Sequence, residues 1–293
     1  MKIKFLFLSF VIFISGSQLK CQKTDDLGLE NDKISARTTR VPSTIKEDYS
    51  CMDDGSGINQ GIDFINSMKN STINSMGTEV TAKDENDFGD QYYAELIKEN
   101  KTKFITPGKE LEALKRIMNN LLSCRNSTSG LKYTMHLIEK DEVNAFTCGG
   151  HIYVYTGLIK YLKTESELAF IIGHEIGHDE KGHIKLMIKQ LKIARGVAGD
   201  LGDYAIAIEK FMFPMFNQHN ETEVDFYGAD LAYAAGYSPC KGIQVWNRMS
   251  KDEGNYNLLL NFLRSHPYSA VRFTCLKNHI KINYKAECSA SEN

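Results

Sequence analysis

The chain has 293 residues, 42% of them hydrophobic and 25% charged, with a formal net charge of -2 at pH 7. That length holds one sizeable domain with appendages, and the hydrophobic share is ordinary for a soluble globular protein. A balance so near neutral excludes a basic footprint for nucleic acid and an acidic tail, so partners have to be read from local sites.

The first residues read as an export address. Met1-Lys2-Ile3-Lys4 is a short basic start, Phe5 to Ile14 is almost wholly apolar, and Ser15-Gly16-Ser17 supplies small residues for cleavage. An apolar run of about ten residues is too short to span a hydrocarbon core of about 30 Å, so residues 1–17 are expected to be a signal peptide rather than an anchor. The following Leu19-Lys20-Cys21-Gln22-Lys23 resembles the start of a bacterial lipoprotein, whose first mature residue is a lipid-bearing cysteine. On that reading the leader is 1–20 and Cys21 carries the lipid; Lys20 departs from the small residue expected there. Either way the protein is expected to be exported, to the bacterial periplasm or outer membrane or else secreted. Its membrane contact would be limited to the anchor at Cys21. Seven cysteines, Cys21, Cys51, Cys124, Cys148, Cys240, Cys275 and Cys288, then meet an oxidising compartment. With Cys21 lipidated, six remain for bridging, in a pairing the spacing leaves open. No CxxC pair occurs, which argues against a cysteine zinc site.

Residues 22–88 are polar and irregular and are expected to form a weakly ordered preface. Order is expected to begin near Asp90. Residues 92–99 and 109–123 carry apolar side chains at helical spacing, the second through Leu111, Leu114, Ile117, Met118 and Leu121. Residues 132–138 and 150–155 alternate as strands do. From Thr164 to about Lys281 the pattern is helical. The expected fold is α+β: a domain over 90–282 with a mainly helical body and a small antiparallel sheet, and a tail over 283–293.

The strongest chemical signal is His174-Glu175-Ile176-Gly177-His178, inside an apolar helix expected over 165–185. Four residues advance a helix by about 400°, so both imidazoles leave the same face and can share one ion, with Glu175 angled toward a metal-bound water. Two histidines leave zinc short of ligands. His183 lies nine residues past His174, on the opposite face of a continuous helix, and is expected to cap or pack. Lys181 and Ile184 stand where a metzincin would have glycine and a third histidine. Glu221 and Asp225, four apart in Glu221-Thr222-Glu223-Val224-Asp225-Phe226-Tyr227-Gly228, share a helix face. There a carboxylate can bind the metal while the aspartate accepts the N–H of a ligand histidine. Glu223 falls about 200° away and is expected to face elsewhere.

His174-Glu175-Ile176-Gly177-His178 followed by this ExExDxxG stretch resembles the gluzincin family that includes the HtpX-like heat-shock proteases and the CAAX prenyl proteases. The resemblance covers residues 91–282. It implies a zincin-type fold, one Zn2+ per chain, Glu221 as third ligand after His174 and His178, and hydrolysis of peptide bonds in exported or misfolded envelope proteins. Residues 144–158, beginning Asn144-Ala145-Phe146, are similar to the family's edge strand beside the metal helix, where an extended peptide can pair main chain to main chain. Ser265-His266-Pro267-Tyr268, with Arg272 six residues past His266, is similar to its late His-Pro…Arg element. That likeness implies that His266 or Arg272 stabilises the oxyanion, or that His266 fills a fourth metal position until substrate arrives. Glu175 is then the general base, and protein or peptide is the substrate. A zinc-bearing envelope chaperone or assembly factor with latent or absent proteolysis is the alternative, and an amidase a further one. The oligomeric state has no signal in the sequence.

Overall fold

The computed structural model describes residues 26–35, 39–52, 71, 75, 79–195, 218–251, 266 and 270–289. The signal segment, Cys21 and the short helix suggested by residues 62–68 lie outside the described residues.

Helix α1 (Ala82–Lys98) starts at a capping box, Thr81 with Asp84, which satisfies two backbone donors at once. Helix α2 (Lys109–Ser123) buries Leu111, Leu114, Ile117, Met118 and Leu121, the stripe its spacing predicts. The sheet has four strands, β1 (Phe104–Ile105), β2 (Thr134–Ile138), β3 (Ala145–Cys148) and β4 (His151–Tyr155), in the order β1-β2-β4-β3; the last three fall in the expected segments and β1 had no sequence signal. The sheet is mixed, which corrects the antiparallel expectation: β2 and β4 run parallel, while β1–β2 and β3–β4 are antiparallel. The cause is topological. The chain leaves β2, steps over one strand position to lay β3 at the edge, and returns through Gly149-Gly150 so that β4 fills the gap. Both glycines have positive φ, 57° and 87°, as a two-residue hairpin of this twist requires.

After α3 (Thr156–Tyr161) comes the central helix α4 (Glu165–Glu180), capped by Thr164 and buried at every position from Glu165 to Asp179. The helix expected to reach Lys185 stops early. Gly182, at φ 76°, takes the left-handed conformation that ends a helix, and α5 (His183–Arg195) sets off in a new direction. The rest of the described body is α6 (Gln218–Ala234), the short α7 (Pro239–Gly242) and α8 (Gln244–Met249), and α9 (Ala270–Tyr284). None of the described helices is long and apolar enough to cross a membrane.

Helices α4 and α6 cross almost backbone to backbone. A Cβ on Gly173 would lie 2.9 Å from the carbonyl oxygen of Gly228, one on Gly228 would lie 2.7 Å from the amide nitrogen of His174, and one on Gly177 would meet Val224 at 3.0 Å. Glycine at these positions lets the two helices share one face at the level of His174 and His178.

The described parts of the polar preface are tied to this body. Leu29 and Met52 are buried in the main core, Glu30 bridges to Thr164, and the amide of Val41 donates to the carbonyl of Cys124. A disulfide joins Cys51 to Cys275 in α9, and another joins Cys240 to Cys288 in the expected tail. Cys124 and Cys148 are buried free thiols. Polarity of composition concealed these anchors, since a few apolar residues and one bridge suffice to hold a strap.

Two stability results follow from this packing. Alanine for glycine in a helix interior ordinarily stabilises by about 0.5–1 kcal/mol. At Gly228 the new methyl group meets backbone, so Gly228→Ala should instead destabilise by about 1–3 kcal/mol in denaturant unfolding; unchanged or raised stability would show that the crossing has slack. Removing the Cys51–Cys275 bridge, whose ends are 224 residues apart, should cost about 2–5 kcal/mol. A midpoint unaltered by Cys51→Ser would mean that the strap holds without it.

Candidate metal centre

The crossing of α4 and α6 brings four buried side chains to one point. His174 Nε2 and His178 Nε2 are 3.2 Å apart. Glu221 Oε2 is 3.5 Å from His174 Nε2, and Glu221 Oε1 is 3.5 Å from His178 Nε2. His266 Nδ1 is 3.1 Å from His174 Nε2 and 3.2 Å from Glu221 Oε2. Among the described residues this is the one His/Cys/Asp/Glu group whose ligand atoms come close enough to hold a metal ion.

The spacing suits a tetrahedral ion. Ligand bonds of about 2.0–2.1 Å at tetrahedral angles separate ligand atoms by about 3.3–3.4 Å. The five contacts fall on either side of that value. The chemistry points the same way. His174 Nδ1 donates to Asp225 Oδ1 at 2.9 Å, which leaves the lone pair of Nε2 facing a second imidazole and a carboxylate. Glu221 Oε1 and both oxygens of Glu175 are buried without a hydrogen bond. Acceptors converging on one point are stable only around a positive charge, a metal ion or, without one, a proton.

Electrostatics agree. Burial alone would raise the pKa of Glu221, but the positive pull of His266 and Arg272 holds it well below the usual carboxylate range. Burial works against the charged form of His174, yet Asp225 and Glu221 outweigh it and lift its pKa to about 9. Burial pushes His178 well below the ordinary histidine value, and raises Glu175. Glu175 reaches toward the cluster, with His266 Nε2 at 3.4 Å from its Oε1.

Around these four lies a supporting layer. Asp225 is saturated: Oδ1 accepts from His174 Nδ1, Trp246 Nε1 (3.1 Å) and Arg272 Nη2 (2.8 Å), and Oδ2 accepts from Arg272 Nε (2.7 Å). Arg272 also places Nη1 3.0 Å from Glu221 Oε2, and its guanidinium stacks over Trp246 at 4.8 Å. The guanidinium expected as an oxyanion partner therefore faces the two carboxylates, because α9 delivers it from behind them. His183 also departs from expectation. The turn at Gly182 carries it back toward the cluster, with Nδ1 3.1 Å from His178 Nδ1. Glu223 faces away from the ligand atoms, as its position predicts, and meets His183 instead. Trp246, the chain's single tryptophan, had no sequence signal; His183 would have been found by reading Gly182 as a helix stop.

Strand β3 lies along α4, joined by a hydrogen bond from Thr147 Oγ1 to Asp179 Oδ2 at 2.7 Å. Ala145 and Phe146 pair with Val154 and Tyr153 of β4. The carbonyl of Asn144, just before the strand, accepts from the amide of Tyr155. The other side of β3 is the sheet edge.

Known proteins share this arrangement of sequence. Residues 109–280, more than half of the chain, match peptidase family M48. Mitochondrial metalloendopeptidase OMA1 of Arabidopsis thaliana is 31% identical over 152 residues, covering 49% of this chain and 30% of that protein. Metalloprotease LoiP of Escherichia coli (strain K12) is 30% identical over 175 residues, covering 55% and 68%. The beta-barrel assembly-enhancing protease of the same organism is 24% identical over 224 residues, covering 70% and 45%. The chain thus spans less than half the length of the first and third relatives, and about two thirds of the second. The matched span encloses both helix histidines, the later glutamate and the late histidine that meet at the crossing, and the chain belongs to peptidase family M48.

Proposed function

We propose that the protein is a zinc-dependent metalloendopeptidase that cleaves exported proteins. The observation that carries the reading is the convergence of His174, His178 and Glu221 at 3.2–3.5 Å beside a buried glutamate with no hydrogen bond. Two imidazoles and one carboxylate are a donor set typical of catalytic zinc. When bound, zinc supplies a Lewis acid for the scissile carbonyl and a water acidified to a pKa of about 7.

The chain's own groups do the rest. Glu175 takes the proton of the attacking water and passes it to the leaving nitrogen; the burial that raises its pKa makes it a better base than a solvated carboxylate. His266 would hold the ion as a fourth ligand and would have to withdraw for a peptide to enter. Its Nε2, 3.4 Å from Glu175 Oε1, would then be a donor for the developing oxyanion. Asp225 and Arg272 act as positioning residues: the first fixes the tautomer of His174, the second holds Asp225 and Glu221 in place. The outer edge of β3 beside α4, which pairs with no other described strand, suits an extended substrate that pairs through its backbone, with Asn144, Ala145 and Phe146 in contact, and predicts broad sequence tolerance.

An exported location, in the periplasm or outer membrane, fits the N-terminal pattern and the two disulfides. The cleaved leader and a lipid on Cys21 belong to the same reading. Relatives named as metalloendopeptidase, metalloprotease and protease support an active enzyme over a zinc-bearing chaperone. A His266-closed centre accommodates latency within the same enzyme.

Purified protein should digest unstructured casein, and a zinc chelator should stop it. Glu175→Gln should keep one zinc per chain while turnover falls by at least about 10²-fold. Wild-type turnover in that variant would remove the glutamate from the mechanism, and digestion indifferent to chelator would remove the metal.

A further inference from the structure

The two helix histidines are supported unequally. His174 is backed by a carboxylate, Asp225, that Arg272 and Trp246 saturate. His178 is backed by another imidazole: its Nδ1 lies 3.1 Å from Nδ1 of His183, and both rings are buried. His183 Nε2 lies 3.2 Å from Glu223 Oε2 and 3.0 Å from the side-chain amide nitrogen of Asn220. Lys181 follows, 3.3 Å from Glu223 Oε1 and 3.1 Å from Glu47 Oε1. A line of contacts therefore runs from the metal-facing histidine to the strap that carries Glu47.

Proton accounting gives the line a direction. A neutral imidazole has one N–H. His178 needs the lone pair of Nε2 for the cluster, so its proton is on Nδ1, pointing at His183 Nδ1. That atom must accept, which puts the proton of His183 on Nε2, facing Glu223. Glu223 Oε2 faces that N–H, with Lys181 on its Oε1, so the carboxylate accepts. Asn220 must then turn its amide oxygen, not its nitrogen, to His183 Nε2, a flip that exchanges the two atoms in place. If Glu223 is lost, His183 can turn its N–H toward His178, whose proton then moves to the nitrogen the metal requires.

We infer that His183, locked by Glu223, is a positioning residue that fixes the tautomer and ring plane of His178 for metal binding. The inference rests on the reading that His174, His178 and Glu221 hold the ion. It assigns the middle glutamate of the Glu221-Thr222-Glu223-Val224-Asp225 stretch a role: Glu221 reaches the ion, Asp225 steadies His174, and Glu223 steadies His178 through His183.

The test is zinc affinity of the full chain, measured by chelator competition, with thermal unfolding of the metal-free form as a control for packing. His183→Leu fills the space without an acceptor and should weaken zinc by about 10–100-fold. His183→Asn places an amide oxygen near the position of Nδ1 and should restore most of that loss. Glu223→Ala should fall between them, with metal-free unfolding close to wild type. His183→Leu binding zinc within about twofold of wild type would overturn the inference, as would an asparagine variant no better than leucine. Failure of the wild type itself to bind one zinc would instead remove the metal reading, and this inference with it.

Discussion

The structure depends on one close crossing. Helices α4 and α6 touch backbone to backbone at Gly173 and Gly228, and only at that separation can a carboxylate on one helix reach imidazoles on the other. The contact also creates an electrostatic problem. Glu221 and Asp225 are fully buried on α6, and leaving water costs an unpaired carboxylate several kcal/mol or more. Asp225 is compensated by Arg272, Trp246 and His174. Glu221 is only partly compensated, by Arg272 and by histidines. The deficit is centred on the point where an ion would sit, so an ion bound there would also steady the crossing.

Supporting contacts show why so much of the chain is recruited. Arg272 comes from α9, which the Cys51–Cys275 bridge fastens to the N-terminal strap. Trp246 comes from α8, and Glu47 reaches Lys181 at the end of α4. Glu180, the last residue of α4, accepts from Arg125, Ser129 and Tyr133 and anchors the helix beyond its second histidine. His174, His178 and Glu221 thus stand on helices tied to several other elements, which is what holding three atoms at such separations requires. Against that rigidity stands Glu175, buried with no hydrogen bond, a local cost that fits the base proposed for it.

What was legible in the sequence follows from the range of each signal. His174 with His178, and Glu221 with Asp225, are pairs within single helices, where a fixed turn dictates which side chains share a face. The stripe of α2 is local in the same sense. Beyond one element the reading weakened. Arg272 contacts Glu221 and Asp225, and its direction depends on the approach of α9, which no local pattern encodes. His183 was misplaced because one glycine in the left-handed conformation turned a continuous helix into two. The parallel β2–β4 pair depends on which arm of a hairpin inserts, which no pattern within a single strand encodes. Trp246 and the strap residues around Cys51 act through tertiary contacts alone.

X-ray absorption at the zinc edge of the protein as purified addresses the convergence of ligands from two helices most directly. One zinc per chain is expected, at about 2.0–2.1 Å from imidazole nitrogens and one carboxylate oxygen. The oxygen should disappear from the first shell in Glu221→Ala. A first shell unaltered by that substitution, or a wild type with no bound zinc, would contradict the shared centre at the crossing of α4 and α6.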